Sequence, residues 1–275
     1  MKKAYCLLLL ISFDIQAQLV EWCVPGYSAF PDIERLYPYI ARPAPDLVEI
    51  RKPYYEKNPK ATYCKRPTDM LDTVVIHHSD TPNTYTAERL NEIHLENSTD
   101  NDPWYMIGYS YVINAPYAGG SIPVPQIAEG RPIDIVGSHA GSRAFVEMDD
   151  VQHKLWSEGK ITCGQEGGDF RVDPKLIFEG KIKANVTTLG VVVVGNFAPF
   201  SAQNPRGYRR GHEVRPSRET LETAAKLSCQ LQKQYPRIKK MGWHSQYNTT
   251  SCPGNLKDHI NEVKKIAKGY GCEFN

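Results

Sequence analysis

Apolar and polar positions alternate in short runs along parts of this chain and recur at helical spacing along others. TVVIHH (73–78) is a β-branched run ending in a polar cluster, which predicts a buried strand feeding a loop. IGYSYVI (107–113) and LGVVVVGNF (189–197) read as two further strands, the second apolar on both faces, as a central strand covered on both sides would be. A helix follows Thr84 or Thr86 as cap, with Leu90, Ile93 and His94 on one face. The segment 216–235 predicts another, with Ser217 as N-cap and Leu221, Ala224, Leu227 and Leu231 inward. Asn255 is expected to cap a last helix carrying Leu256, Ile260, Val263 and Ala267.

Two stretches show no sustained period. Residues 18–70 are rich in Pro and Tyr and read as an extended arm wrapped on the domain, with a flexible linker as the alternative. Its tyrosines Tyr27, Tyr37, Tyr39, Tyr54 and Tyr55 are expected to pack on the domain. The charged, Gly-containing stretch 141–184 reads as an insertion between two well-marked segments. The organisation expected is a leader over 1–17, the arm over 18–70 and one main domain over 71–275.

The leader reading rests on Lys2 and Lys3, the mostly apolar run 4–13 and the small residue Ala17, which together fit an export signal. That run falls short of the ~20 apolar residues that span a bilayer. Cys6 lies inside the run instead of just after it, which argues against a lipid anchor, and the Lys-Lys pair disfavours a buried N-terminal helix or strand. An exported chain, periplasmic or secreted and without a membrane span, is expected. Lys+Arg number 33 against 31 Asp+Glu, so nothing in the charge suggests nucleic acid as a partner, and the chain is expected to act as a monomer. Seven cysteines become an even number once Cys6 leaves with the signal, and an oxidising compartment lets them pair. Cys23 with Cys64, and Cys229 with Cys272, are the pairings considered, which would leave Cys163 free; spacing alone establishes neither.

Three places offer borderline or soft metal ligands in loops or at strand ends: His77 and His78, His139 in GSHAG, and His244 eight residues before Cys252 in WHSQYNTTSCPG. Zinc binds imidazole and thiolate, and a catalytic site uses three protein ligands with the fourth position left for water. Adjacent strand residues face opposite sides, so only one of His77 and His78 is expected in a given site. Taken singly, each histidine is more often structural than a ligand, and a lone cysteine in an exported protein is more often half of a disulfide.

The ordered set VVIHHSD, IGYSYVI, EGR (129–131), GSHAG (137–141), NVTTLGVVVVGNF (185–197) and WHSQYNTTSCPG (243–254) resembles the zinc-dependent N-acetylmuramoyl-L-alanine amidases, whose fold is shared by peptidoglycan recognition proteins and phage lysozyme-type amidases. The resemblance covers about residues 70–268 without the insertion. It implies an α/β fold, with a central mixed, mostly parallel sheet flanked by helices, to which this chain adds the arm and the insertion. It implies a Zn2+ cofactor held by His77, His244 and Cys252, and peptidoglycan or muropeptides as partner. Tyr109 falls on the family's catalytic tyrosine and Thr250 on the position two before the ligand cysteine, where the family has Lys or Thr. His139 falls on a histidine that lines the groove; with His78 and Arg131 it is expected to contact substrate.

Two departures bear on the mechanism. The usual Gly-His-Arg-Asp around the second ligand is Trp243-His244-Ser245-Gln246, and the VVVV run 191–194 has no counterpart of the glutamate that some relatives use as base. The rival readings are a binding module of the same fold that does not cut, and a metal-free thiol hydrolase using Cys252 with His244.

Overall fold

The computed structural model describes residues 5–13, 16–24, 48–99, 103–114, 126–141, 143–199 and 215–275. The chain divides into two compact units, Met1–Pro45 and Asp46–Asn275. In the first, β1 (Tyr5–Phe13) pairs antiparallel with β2 (Gln16–Val24), so most of the apolar run read as an export signal lies in a hairpin strand. Tyr27, Tyr37 and Tyr39 lie outside the described residues.

The second unit opens with β3 (Ile50–Arg51) and β4 (Tyr63–Lys65), then β5 (Thr73–His78), α1 (Ala87–Glu96), β6 (Tyr111–Asn114) and β7 (Gln126–Glu129). Next come β8 (Phe145–Val146), α2 (Asp150–Ser157), β9 (Thr162–Gly164), β10 (Ile177–Phe178), β11 (Lys181–Lys183) and the single turn α3 (Ala184–Thr187). The unit closes with β12 (Thr188–Val193), α4 (Arg218–Gln234), β13 (Lys240–Trp243) and α5 (Ile260–Gly269).

The central sheet runs β13-β5-β12-β6-β7-β3. It is parallel from β13 through β6, antiparallel between β6 and β7, and parallel again to β3. β5 and β12 are buried at every position, as strands covered on both faces must be. On one face Val74, Ile76, Leu189, Val191 and Val193 pack with Leu221, Leu227 and Leu231 of α4 and Ile260, Val263 and Ala267 of α5. On the other, Val112, Val192 and Val194 pack with Ala87 and Leu90 of α1 and with Tyr105, Met106 and Ile107. The expected mixed, mostly parallel, helix-flanked architecture is the one observed.

Several local expectations are corrected. The strand expected over 107–113 begins only at Tyr111, because the 106–107 carbonyls accept from the Arg131 side chain instead of from a neighbouring strand. Thr86 caps α1 and Ser217 caps α4, but Asn255 does not cap the last helix. It lies in a 3-10 turn, Gly254–His259, whose Asn255 N–H donates to Phe197 O, and α5 starts at Ile260.

Residues 48–70, expected as arm, sit inside the compact unit: β3 forms the sheet edge, the Tyr55 hydroxyl donates to Glu129 O at 2.9 Å, and Tyr63 stacks on Tyr105. Tyr54 is 88% exposed. The described part of the insertion carries its own structure. β8, β11 and β10 form a small sheet, and α2 has an Asp149–Gln152 capping box. Ile161, Leu176, Ile182 and Val186 bury against Met70 and Val136. β9 pairs antiparallel with β4, placing Cys163 directly opposite Cys64, and the two form a disulfide. The Cys23–Cys64 pairing and a free Cys163 are thereby overturned, because strand register, which spacing does not encode, chose the partner. Cys229 and Cys272 are bridged as considered, joining α4 to the segment after α5.

Candidate functional site

The parallel register of β13 on β5 builds the site. Trp243 lies opposite Ile76, so the next residues on each strand, His244 and His77, emerge side by side at the carboxyl edge of the sheet, with ring centroids 4.6 Å apart. That edge is where open parallel sheets place their ligands, because the loops leaving the strands converge there. Cys252 returns to the same edge, its Sγ 3.6 Å from His77 Nδ1 and 3.4 Å from His78 N, which donates to it. The turn that brings it back needs Gly254: φ is +64° and a Cβ would lie 2.1 Å from Phe197 O.

Of the residues expected at the site, His77, His244 and Cys252 come together, their ligand atoms all within 4.8 Å of one another. Tyr109 joins them with its ring 5.1 Å from that of His77, and its hydroxyl has no hydrogen-bond partner among the described residues. Thr250 accepts from Cys252 N at 3.2 Å through Oγ1, beside an open polar depression that includes Arg143, Tyr247 and Asn248. His78 points the other way, as strand alternation requires, and its Nδ1 accepts from Phe197 N at 3.0 Å. His139 is 4% exposed and lies 3.0 Å from His77, ring nitrogen to ring nitrogen. Arg131, 5% exposed, donates to the carbonyls of Met106, Ile107 and Val136.

Two further residues border the site. His94 accepts from Gly108 N and sets its ring against Tyr109 and Trp104. Its place on the inward face of α1 was the available signal. Asp80, with φ of 55° in the loop after β5, puts its charge near both Cys252 and Tyr109. Nothing in the spacing of Asp80 marked it.

Burial dominates the electrostatics. It holds the His77 imidazole well below the usual range, helped by His139 and His244, and brings His78 and His244 to about 4. His139 falls to about 3 by burial and then by the Arg66 guanidinium. These rings are neutral at neutral pH, the form in which imidazole ligates metal. Burial also raises the Tyr109 phenol, which stays protonated as a donor, and pushes the Cys252 thiol up to about 12.

The donor set fits zinc. With Zn–N of ~2.0–2.1 Å and Zn–S of ~2.3 Å, a tetrahedral N···S edge is about 3.6 Å, and His77 Nδ1 to Cys252 Sγ is 3.6 Å. His244 Nε2 is buried without a hydrogen-bond partner, a costly state for a polar atom unless something binds it.

The chain resembles the solved N-acetylmuramoyl-L-alanine amidase LysC from Clostridium intestinale URNW, at 18% identity and a TM-score of 0.47 over 82% of this chain and 99% of that one. It also resembles Drosophila PGRP-LB, at 17% identity and a TM-score of 0.45 over 78% and 93%. No curated protein sequence matches it. The profile of the N-acetylmuramoyl-L-alanine amidases matches residues 66–255, from the buried Arg66 past Cys252, and the chain belongs to that family.

Proposed function

We propose that this chain is a zinc-dependent amidase that hydrolyses the bond between N-acetylmuramic acid and L-alanine in peptidoglycan, with His77, His244 and Cys252 holding the metal. The observation that carries the reading is the three-residue cluster at the sheet's carboxyl edge with His244 Nε2 buried and unpartnered. The chemistry that Zn2+ supplies when bound is Lewis acidity, which polarises a carbonyl and lowers the pKa of water from 15.7 toward ~7.

The chain's own residues do the rest. The hydroxyl of Tyr109 donates a hydrogen bond to the oxyanion that forms as the lactyl carbonyl becomes tetrahedral, a role in which loss of one donor costs about 2.7–4 kcal/mol. Thr250 Oγ1 accepts from Cys252 N, so its hydroxyl hydrogen is left to orient water or the same oxyanion. With valines at 191–194 there is no glutamate base on β12. The proton that the attacking water loses goes to the L-alanine nitrogen as the C–N bond breaks, with Thr250 orienting the water and Tyr109 holding the oxyanion.

For the residues expected to contact substrate, the hydrogen bonds they make favour a supporting role. Arg131 and His78 support the site through the backbone groups they bind, and His139 acts through His77; the substrate-facing polar groups are those of the depression at Thr250. The two disulfides suit an oxidising compartment, and among the described residues no helix is long and apolar enough to cross a membrane, so we assign residues 1–17 to export and the working domain to the exported chain. A metal-free thiol nucleophile is disfavoured, since a thiol titrating near 12 gives almost no thiolate at neutral pH. Mass spectrometry of a defined muropeptide after incubation with the full chain tests the reading. Free stem peptide with an α-amino L-alanine end should appear, and a chelator should abolish it. An uncut muropeptide that nevertheless binds would establish the non-catalytic module instead.

A further inference from the structure

His77 is backed by a second ring, and the proton on each nitrogen can be traced from the far end. Thr188 Oγ1 donates its only hydrogen to Ala184 O at 2.7 Å. Toward His139 Nε2, 3.2 Å away, that oxygen can only accept, as can Thr188 O at 3.4 Å. His139 Nε2 therefore carries the proton. A neutral imidazole has one N–H, so His139 Nδ1 is an acceptor. It faces His77 Nε2 at 3.0 Å, which must donate. The lone pair of His77 is then on Nδ1, the nitrogen 3.6 Å from Cys252 Sγ.

The surroundings hold the His139 ring in this place. A Cβ on Gly190 of β12 would come 2.7 Å from His139 Cγ, and one on Gly137 would come 2.7 Å from Cδ2, so two glycines clear the slot. Asn185 Oδ1 accepts from the backbone N–H of His139 and Ala140 at 3.0 and 2.7 Å, and fixes the loop that carries the ring.

We propose that His139 is a positioning residue: with Thr188 and Ala184 O it locks His77 in the tautomer whose Nδ1 lone pair faces His244 and Cys252, so the ring meets the metal already oriented. This deepens the zinc reading and rests on it. Partners of this kind fix ring orientation and raise ligand basicity, and their loss typically lowers metal affinity about 10–100-fold. A ring that merely filled the slot would move neither tautomer nor affinity.

The test uses the full chain labelled with 15N-histidine. Long-range proton–nitrogen NMR of the metal-free protein should show His77 protonated at Nε2; protonation at Nδ1 overturns the relay and needs no variant. His139→Leu should then lose zinc affinity by about 10–100-fold in competition with a chromophoric chelator, and His139→Gln, which keeps an acceptor, should recover part of it. Affinity within about twofold of wild type in His139→Leu contradicts the proposal. Should that variant not fold, Thr188→Val removes the hydroxyl acceptor while keeping side-chain shape, and unchanged affinity there counts equally against it. Zinc binding is read without any turnover, so a lock that holds in a chain that cuts nothing would fault the amidase reading alone. A wild-type chain that binds no zinc would fault the metal reading, while the His77 tautomer still decides the relay.

Discussion

The two faces of the central sheet are built from the same strands, one residue out of step, and carry different work. On the α4/α5 face Val74, Ile76, Leu189, Val191 and Val193 are apolar throughout and meet Leu227, Leu231 and Val263. On the α1 face Val75 and Val192 begin the same way, but β5 goes on to His77, against which the rings of Tyr109 and His139 pack. The difference teaches how a two-residue period lets one strand hold a core and a site at once: moving β5 by one residue would exchange His77 with the core face. It also implies that stability and chemistry should respond to different substitutions.

The largest effect expected on the core face comes from Leu227→Ala, which empties a fully buried position of α4. It should cost about 2–5 kcal/mol in denaturant unfolding, with zinc still at one per chain. A loss of bound zinc in the folded variant would break the separation. On the site face, Tyr109→Phe removes one hydroxyl and keeps the ring. kcat should fall about 10²–10³-fold with unchanged thermal stability, whereas a rise in KM with kcat preserved would make the phenol a ground-state contact.

The insertion sharpens the comparison from outside the sheet. Cys163→Ser opens a disulfide that closes a 99-residue separation and should cost about 2–4 kcal/mol while sparing zinc. Non-reducing peptide mapping that finds Cys64 paired with Cys23 would refute the connectivity. The smallest effect belongs to the sheet edge, where the hydrogen bond from Arg51 holds the Glu88 carboxyl at about 2. Its folded value is depressed, so the stabilisation is present above the unfolded pKa of ~4.3 and is lost as pH falls through about 2. The pair is half exposed, and Arg51→Ala should cost only about 0.2–1 kcal/mol at pH 7 and nothing at the acid end of a stability-versus-pH curve.

What the chain disclosed in advance follows the same division. β5, β12 and α4 were legible because long runs of one period must bury a face, and His77, His244 and Cys252, which the structure brings together, because they sit in recognisable motifs. The two- and three-residue strands β3, β4, β8 and β10 are too short to show a period. Cys64 met Cys163 through strand pairing that separation along the chain does not specify. His139 was expected in the groove because its motif was visible, but Thr188 Oγ1, Gly190 and Gly137, which give the ring its job, act through contacts between distant segments. The three carbonyls that Arg131 binds were out of sight for the same reason: backbone partners are invisible in a one-letter string.

The central claim is that His77, His244 and Cys252 jointly hold one zinc at the edge where the two faces part. Metal content of the purified full chain tests it most directly, measured on wild type and on the His77→Ala, Cys252→Ala double variant after dialysis against a weak chelator. The account predicts one zinc per wild-type chain and none in the double variant, because a lone histidine cannot hold the ion tightly. Stoichiometric zinc retained by the folded double variant would contradict it.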